Sequence, residues 1–149
     1  MKKIAQYLDP SLVTFLDAKT RDEVLYSLVD LAFLKGKISD KQAFYDALIE
    51  REKIVSTAIG MGVAIPHAKL PSYDDFFIAI ALLKQGVEWN SMDGSLVRVV
   101  CMIGGPDDKQ TEYLQILSGI TLAIKDEEQR KQMLTLNSPK AIIQLFKDY

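Results

Sequence analysis

Apolar positions along the chain change their period near its middle. From Thr20 onward Val24, Leu25, Leu28, Leu31 and Ala32 recur at helical spacing, Thr20 and Glu23 form a capping box, and Gly36 stands just past the end. A helix is predicted from about Arg21 to Lys35. Ser39-Asp40 with Gln42 is a second start signal, leading through Ala43, Phe44, Ala47 and Leu48 into a helix that runs to about Glu52 and carries Arg51 at its C-terminal end. Beyond it the pattern becomes short runs rich in β-branched and aromatic residues, Val63 to Ile65, Phe76 to Leu83 and Leu96 to Ile103, bounded by Gly, Pro, Asn or Asp. These read as strands. The last two are joined by Lys84 to Ser95, with Gly86 and Asp93-Gly94 as turn signals, so they are expected to pair antiparallel. Three more helices are predicted at Gln110 to Ile124, Asp126 to Leu134 and Pro139 to Lys147, the last with Ser138 as its cap. Because the strand runs are almost wholly apolar, helices should cover both sheet faces. The expected class is α/β, a small mixed β-sheet flanked by helices on both faces.

Composition narrows the chemistry. The 149 residues are 48% apolar and 26% charged, with no linker, repeat or low-complexity tract, which fits one domain over residues 1–149. Eighteen Lys plus Arg against twenty Asp plus Glu give a net charge of -2, which provides no field for a phosphate backbone or an anionic membrane. Nucleic acid is not an expected partner. The longest apolar run, Phe76 to Leu83, is far shorter than the roughly 20 residues of a membrane helix. Lys2 and Lys3 could open a leader peptide, but Gln6, Tyr7 and Asp9 interrupt the stretch that would follow, so a cytoplasmic protein is expected. A single cysteine, Cys101 within an apolar run, reads as a small buried hydrophobe, and a single histidine, His67, excludes a two-histidine metal site. No metal and no cofactor are implied.

The unusual chemistry lies between Arg51 and Lys69. Gly60 and Gly62 allow backbone conformations that side chains resist, and Pro66 fixes its own φ while holding Ile65 extended. His67 is thereby expected just past a strand end, in a rigid and partly open turn. Near neutral pH an imidazole keeps an unprotonated nitrogen that can attack phosphorus, and Arg51 could neutralise the phosphoryl oxygens, with the Ser56 and Thr57 hydroxyls and glycine-rich amides as further donors. A lone His after Pro is more often a packed or turn residue than a catalyst, so these features by themselves leave both readings open.

The wider spacing resembles the type-2 EIIA family of the bacterial phosphotransferase system, the fructose, mannitol and nitrogen-regulatory class. Its signature asks for an acidic or amide residue, then an aliphatic and a small residue, then aliphatic-Ala-aliphatic-Pro-His-small. Glu52, Ile59-Gly60 and Val63-Ala64-Ile65-Pro66-His67-Ala68 fill those places. The resemblance extends to the early helix, Gly86-Val87-Glu88-Trp89 and the Ser-Pro-led last helix. It implies the mannitol/fructose EIIA fold, a phosphohistidine at His67 with Arg51 in the phosphoryl site, an HPr-like phosphocarrier as donor and a IIB cysteine as acceptor for sugar uptake. The alternative is a nitrogen-regulatory protein whose phosphorylation state controls target binding. The lack of a fused IIB or IIC segment in these residues leans toward regulation. A housekeeping fold with a fortuitous Pro-His is the third reading.

The sequence departs from relatives at Tyr113, where many carry a second histidine. Its hydroxyl can donate to a phosphoryl oxygen or simply stay wet at the edge of a packed ring. Trp89 is expected to pack over a sheet edge rather than meet a ligand, Asp107-Asp108 to form a solvated turn, and Lys69 either to add positive potential beside His67 or to stand exposed. Met61 fits an apolar docking rim or plain packing.

Overall fold

The structure, a computed structural model, describes residues 3–149; Lys2 of the basic start lies outside the described residues. Short 3-10 turns at Ile4–Tyr7 and Pro10–Leu12 lead into β1 (Val13–Leu16), α1 (Arg21–Leu34) and α2 (Lys41–Ile54). Then come β2 (Ala58–Gly60), β3 (Val63–Ala64), β4 (His67–Lys69), β5 (Phe77–Val87), β6 (Val97–Gly105), α3 (Gln110–Lys125), α4 (Glu127–Met133) and α5 (Pro139–Gln144). The capping signals act as their chemistry requires. Thr20 Oγ1 accepts from the Glu23 amide at 3.2 Å, the Glu23 carboxylate accepts from the Lys19 amide at 3.1 Å, and Asp40 accepts from the Ala43 amide at 3.0 Å.

The strands form one mixed sheet in the order β1-β5-β6-β3-β2, with β4 also on β6. β5 and β6 are antiparallel, as expected, whereas β1 lies parallel to β5, and β3 and β4 run parallel to β6. Alternation along β5 sends Phe77, Ala79, Ala81 and Leu83 into an apolar cluster with α1 and α2, and Phe76, Ile78, Ile80 and Leu82 into one with α3, α4 and α5. Both faces are therefore covered, and Cys101 is fully buried in the second cluster. No helix among the described residues is long and apolar enough to cross a membrane.

Several elements differ from the sequence expectation. β5 continues through Gly86 to Val87, so Gly86 is a strand residue rather than a turn signal. A Cβ there would stand 2.6 Å from that of Leu96, so close approach is what demands glycine. β1, β2 and β4 are three or four residues long, too short to show a period. The last helix stops at Gln144 instead of Lys147, closing in tighter turns in which the Phe146 amide donates to the Ile143 carbonyl at 2.9 Å.

Candidate functional site

Two segments meet at the site because β3 and β4 lie end to end along one edge of β6, with Val63 beside Val99 and His67 beside Ile103. Pro66 bridges them, its carbonyl accepting from the Ile103 amide at 2.9 Å. His67 therefore opens a short strand rather than sitting in a free turn, because β6 still offers hydrogen-bonding groups past Pro66. Ala68 packs toward α1 and α2, and alternation turns His67 and Lys69 to the other side, where Tyr113 of α3 stands.

The imidazole is half-buried and held at both nitrogens. Nδ1 lies 3.3 Å from the Ile65 carbonyl, which can only accept, so the ring proton belongs on Nδ1 and Nε2 keeps its lone pair. Arg51 Nε donates to Nε2 at 3.3 Å, while its Nη1 donates to the Val55 carbonyl at 2.8 Å at the end of α2. The guanidinium caps its own helix and faces the histidine at once. Burial lowers the His67 pKa from its ordinary value of 6.5, and the charges of Arg51 and Lys69 push the same way against the Ile65 carbonyl and Glu52. At neutral pH the ring is uncharged and nucleophilic.

Tyr113 lies against this ring, centroid to centroid 5.4 Å, and Lys69 Nζ sits 4.0 Å from the Tyr113 centroid while donating to Gln110 Oε1 at 2.8 Å. Burial raises the Tyr113 pKa, with Arg51 acting against it, so its hydroxyl is a neutral donor at physiological pH. It makes no hydrogen bond among the described residues.

The other sequence candidates are occupied elsewhere. Ser56 Oγ donates to the Trp89 carbonyl at 2.5 Å, and Thr57 Oγ1 donates to Glu52. Gly60, Met61 and Gly62 have φ of 96°, 61° and 75°, a left-handed turn between β2 and β3. Its Met61 and Gly62 amides donate to Asp93 Oδ2 at 2.9 Å and Ser95 Oγ at 3.1 Å. These four hydrogen-bonding groups are thus committed to protein acceptors. Asp93 also accepts from Ser91 and Ser95, and these bonds hold its carboxyl well below the usual range. Asp107 and Asp108 are exposed in a bend, and Met61 is 44% exposed.

Sequence reasoning left unassigned the role of Glu52, only 5% exposed, whose carboxylate accepts from the Thr57 amide at 3.0 Å, the Thr57 hydroxyl and Trp89 Nε1 at 3.1 Å. Trp89 is a core residue, 1% exposed. The Thr57 carbonyl accepts from the Ile65 amide at 3.0 Å, which links this buried cluster to the residue whose carbonyl orients His67. The acidic first position of the signature was the available signal.

A cleft of about 860 Å³ is lined by Gln6, Gln115 and residues 108–112, while exposed apolar side chains, Ile54 and Val55, follow Arg51 in the chain.

The chain is similar to several known proteins. It is 35% identical over 134 residues to the fructose-specific EIIABC component of Bacillus subtilis, covering 90% of this chain and 21% of that one, so it spans about a fifth of that relative's length. Its fold matches the nitrogen regulatory protein IIA-Ntr of Neisseria meningitidis with a TM-score of 0.91 at 21% identity, covering 97% and 99% of the two chains. It also matches the Escherichia coli complex of enzyme IIA mannitol with phosphorylated IIB mannitol, with a TM-score of 0.81 at 17% identity and coverage of 95% and 98%. The model of the phosphoenolpyruvate-dependent sugar phosphotransferase system EIIA 2 family matches residues 6–149, over the fold and site just described, and the chain belongs to that family.

Proposed function

We propose that the chain is a phosphocarrier that accepts a phosphoryl group on His67 Nε2 from an HPr-like protein and passes it to a cysteine of a IIB domain, acting in the cytoplasm as one unit over residues 1–149. The observation that carries this reading is the two-sided hold on the imidazole. The Ile65 carbonyl at Nδ1 directs the lone pair to Nε2, and Arg51 stands at Nε2 where phosphoryl oxygens would arrive.

In the forward step the Nε2 lone pair forms a bond to phosphorus while the bond to the carrier breaks, its electron pair leaving with the carrier. The proton stays on Nδ1, which goes on donating to the Ile65 carbonyl. Arg51 shifts from Nε2 to the phosphoryl oxygens and stabilises their charge, and the Tyr113 hydroxyl donates to the same group. In the onward step a IIB thiolate attacks phosphorus and the electron pair returns to Nε2. Ser56, Thr57, Gly60 and Gly62 support the site as scaffold. The exposed Ile54 and Val55 that follow Arg51 give a protein partner an apolar surface to meet, and the likeness to a IIA–phosphorylated IIB complex supports the choice of acceptor.

Intact-mass measurement after incubation with enzyme I, HPr or its homologue and phosphoenolpyruvate tests the proposal. The parent chain gains one acid-labile phosphoryl group, His67→Ala gains none, and purified IIB discharges the parent. No gain by the parent, or an equal gain by His67→Ala, refutes the acceptor assignment. A charged protein that no IIB discharges points to the regulatory reading.

A further inference from the structure

The site holds two cations around an uncharged ring. Arg51 approaches Nε2 from the end of α2, and Lys69, two residues along β4 and on the same face as His67, holds its ammonium 4.0 Å from the centroid of the Tyr113 ring that abuts the imidazole. Both charges act, alongside burial, against a third positive charge on His67. Among the described residues neither cation has a carboxylate partner: Arg51 is bound to a carbonyl and an imidazole, and Lys69 to the neutral amide of Gln110. Gathering unpaired like charges is unfavourable in the resting protein and becomes favourable once an anion arrives. A phosphoryl group brings about two negative charges, of which one guanidinium compensates one.

We infer that Lys69 is a second phosphoryl-binding cation, a catalytic residue that contacts the transferring group from the α3 side while Arg51 contacts it from α2. This rests on His67 as the acceptor. As the P–Nε2 bond forms and the bond to the carrier breaks, Lys69 Nζ exchanges Gln110 Oε1 for a phosphoryl oxygen. Its four-carbon stem permits that movement, and no proton changes hands. Tyr113 positions the ammonium in the resting state through its ring face.

The test measures phosphoryl transfer from the charged carrier to the parent, Lys69→Gln, Lys69→Arg and Gln110→Ala, each over a range of carrier concentration, with thermal unfolding alongside. Lys69→Gln should be slower at saturating carrier by about tenfold, the low end for a charge-assisted hydrogen bond at a partly exposed site. Lys69→Arg should stay within about threefold of the parent, and Gln110→Ala should match it. Unfolding midpoints should agree throughout. The inference is overturned if Lys69→Gln equals the parent at saturating carrier, which would confine Lys69 to docking. It is overturned equally if Gln110→Ala loses as much, which would make the Lys69–Gln110 bond a structural tie. A parent chain that takes no phosphoryl group overturns the functional reading itself, whereas a loss of the Lys69 effect alone overturns only this inference.

Discussion

Replacing Trp89 by Phe should destabilise the protein by about 2.5 to 4 kcal/mol, although the residue lies outside the reacting group. Trp89 Nε1 donates at 3.1 Å to Oε2 of Glu52, a carboxylate 5% exposed, and lies 3.3 Å from Thr57 Oγ1. A hydrogen bond to a buried charge contributes about 1.5 to 3 kcal/mol, and its loss leaves the carboxylate short of one of its three donors. The smaller ring leaves a void of roughly 40 Å³, which at about 24 cal/mol per Å³ adds about 1 kcal/mol. With a urea slope of about 2 to 3 kcal/mol/M, the unfolding midpoint should fall by about 1 to 2 M. Circular dichroism is the required probe, since Trp89 is the only tryptophan and the variant has no indole fluorescence. Glu52→Gln provides the second arm of a double-mutant cycle. If the bond is the source of the loss, the paired change costs clearly less than the sum of the single changes. A loss under about 0.5 kcal/mol, or a strictly additive cycle, would refute the reasoning and leave Trp89 as ordinary filling.

Arg51→Ala should slow transfer to His67 by about 1.5 to 3 kcal/mol of transition-state stabilisation while the fold survives, since the side chain stands at a helix end; an unchanged rate at limiting carrier removes it from the site. The lowered His67 pKa sets two pH trends. An ordinary imidazole is half-protonated near pH 6.5, and His67 less than half, so acceptance of the phosphoryl group, corrected for the carrier's own titration, should reach its half-maximal value below pH 6.5 rather than at it. The unfolded chain takes up that proton first, so between pH 6.5 and the lower folded value His67 should make stability fall with decreasing pH. His67→Ala should lack that component of the urea-midpoint profile, and identical profiles would contradict the direction of the shift.

Helix starts were legible because they are local: Thr20, Asp40 and Ser138 satisfy amides within the next few residues, whatever the rest of the chain does. The apolar runs of β5 and β6 were legible because burial on both faces removes alternation, and their antiparallel pairing follows from a short connection. The Pro66-His67 pair with its flanking residues pointed to His67 as the candidate acceptor, and the helix before it pointed to Arg51, which the fold brings to His67 Nε2. Chain order could not say that β3 and β4 lie end to end on β6, that β1 adds parallel beyond β5, or that β2 and β4 are strands at all, since elements of three residues exist only through a partner's hydrogen bonds. Nor could it show that Thr57, a candidate donor to the phosphoryl group, turns inward to Glu52, or that Trp89 from the β5–β6 loop closes over both. A buried carboxylate is tolerated only where donors converge on it, and those donors come from positions 5 and 37 residues away in the chain. The local sequence thus set the lone histidine beside its proline in one short segment, whereas tertiary packing decided which of its nitrogens keeps a lone pair, what holds the ring, and which cations stand near it.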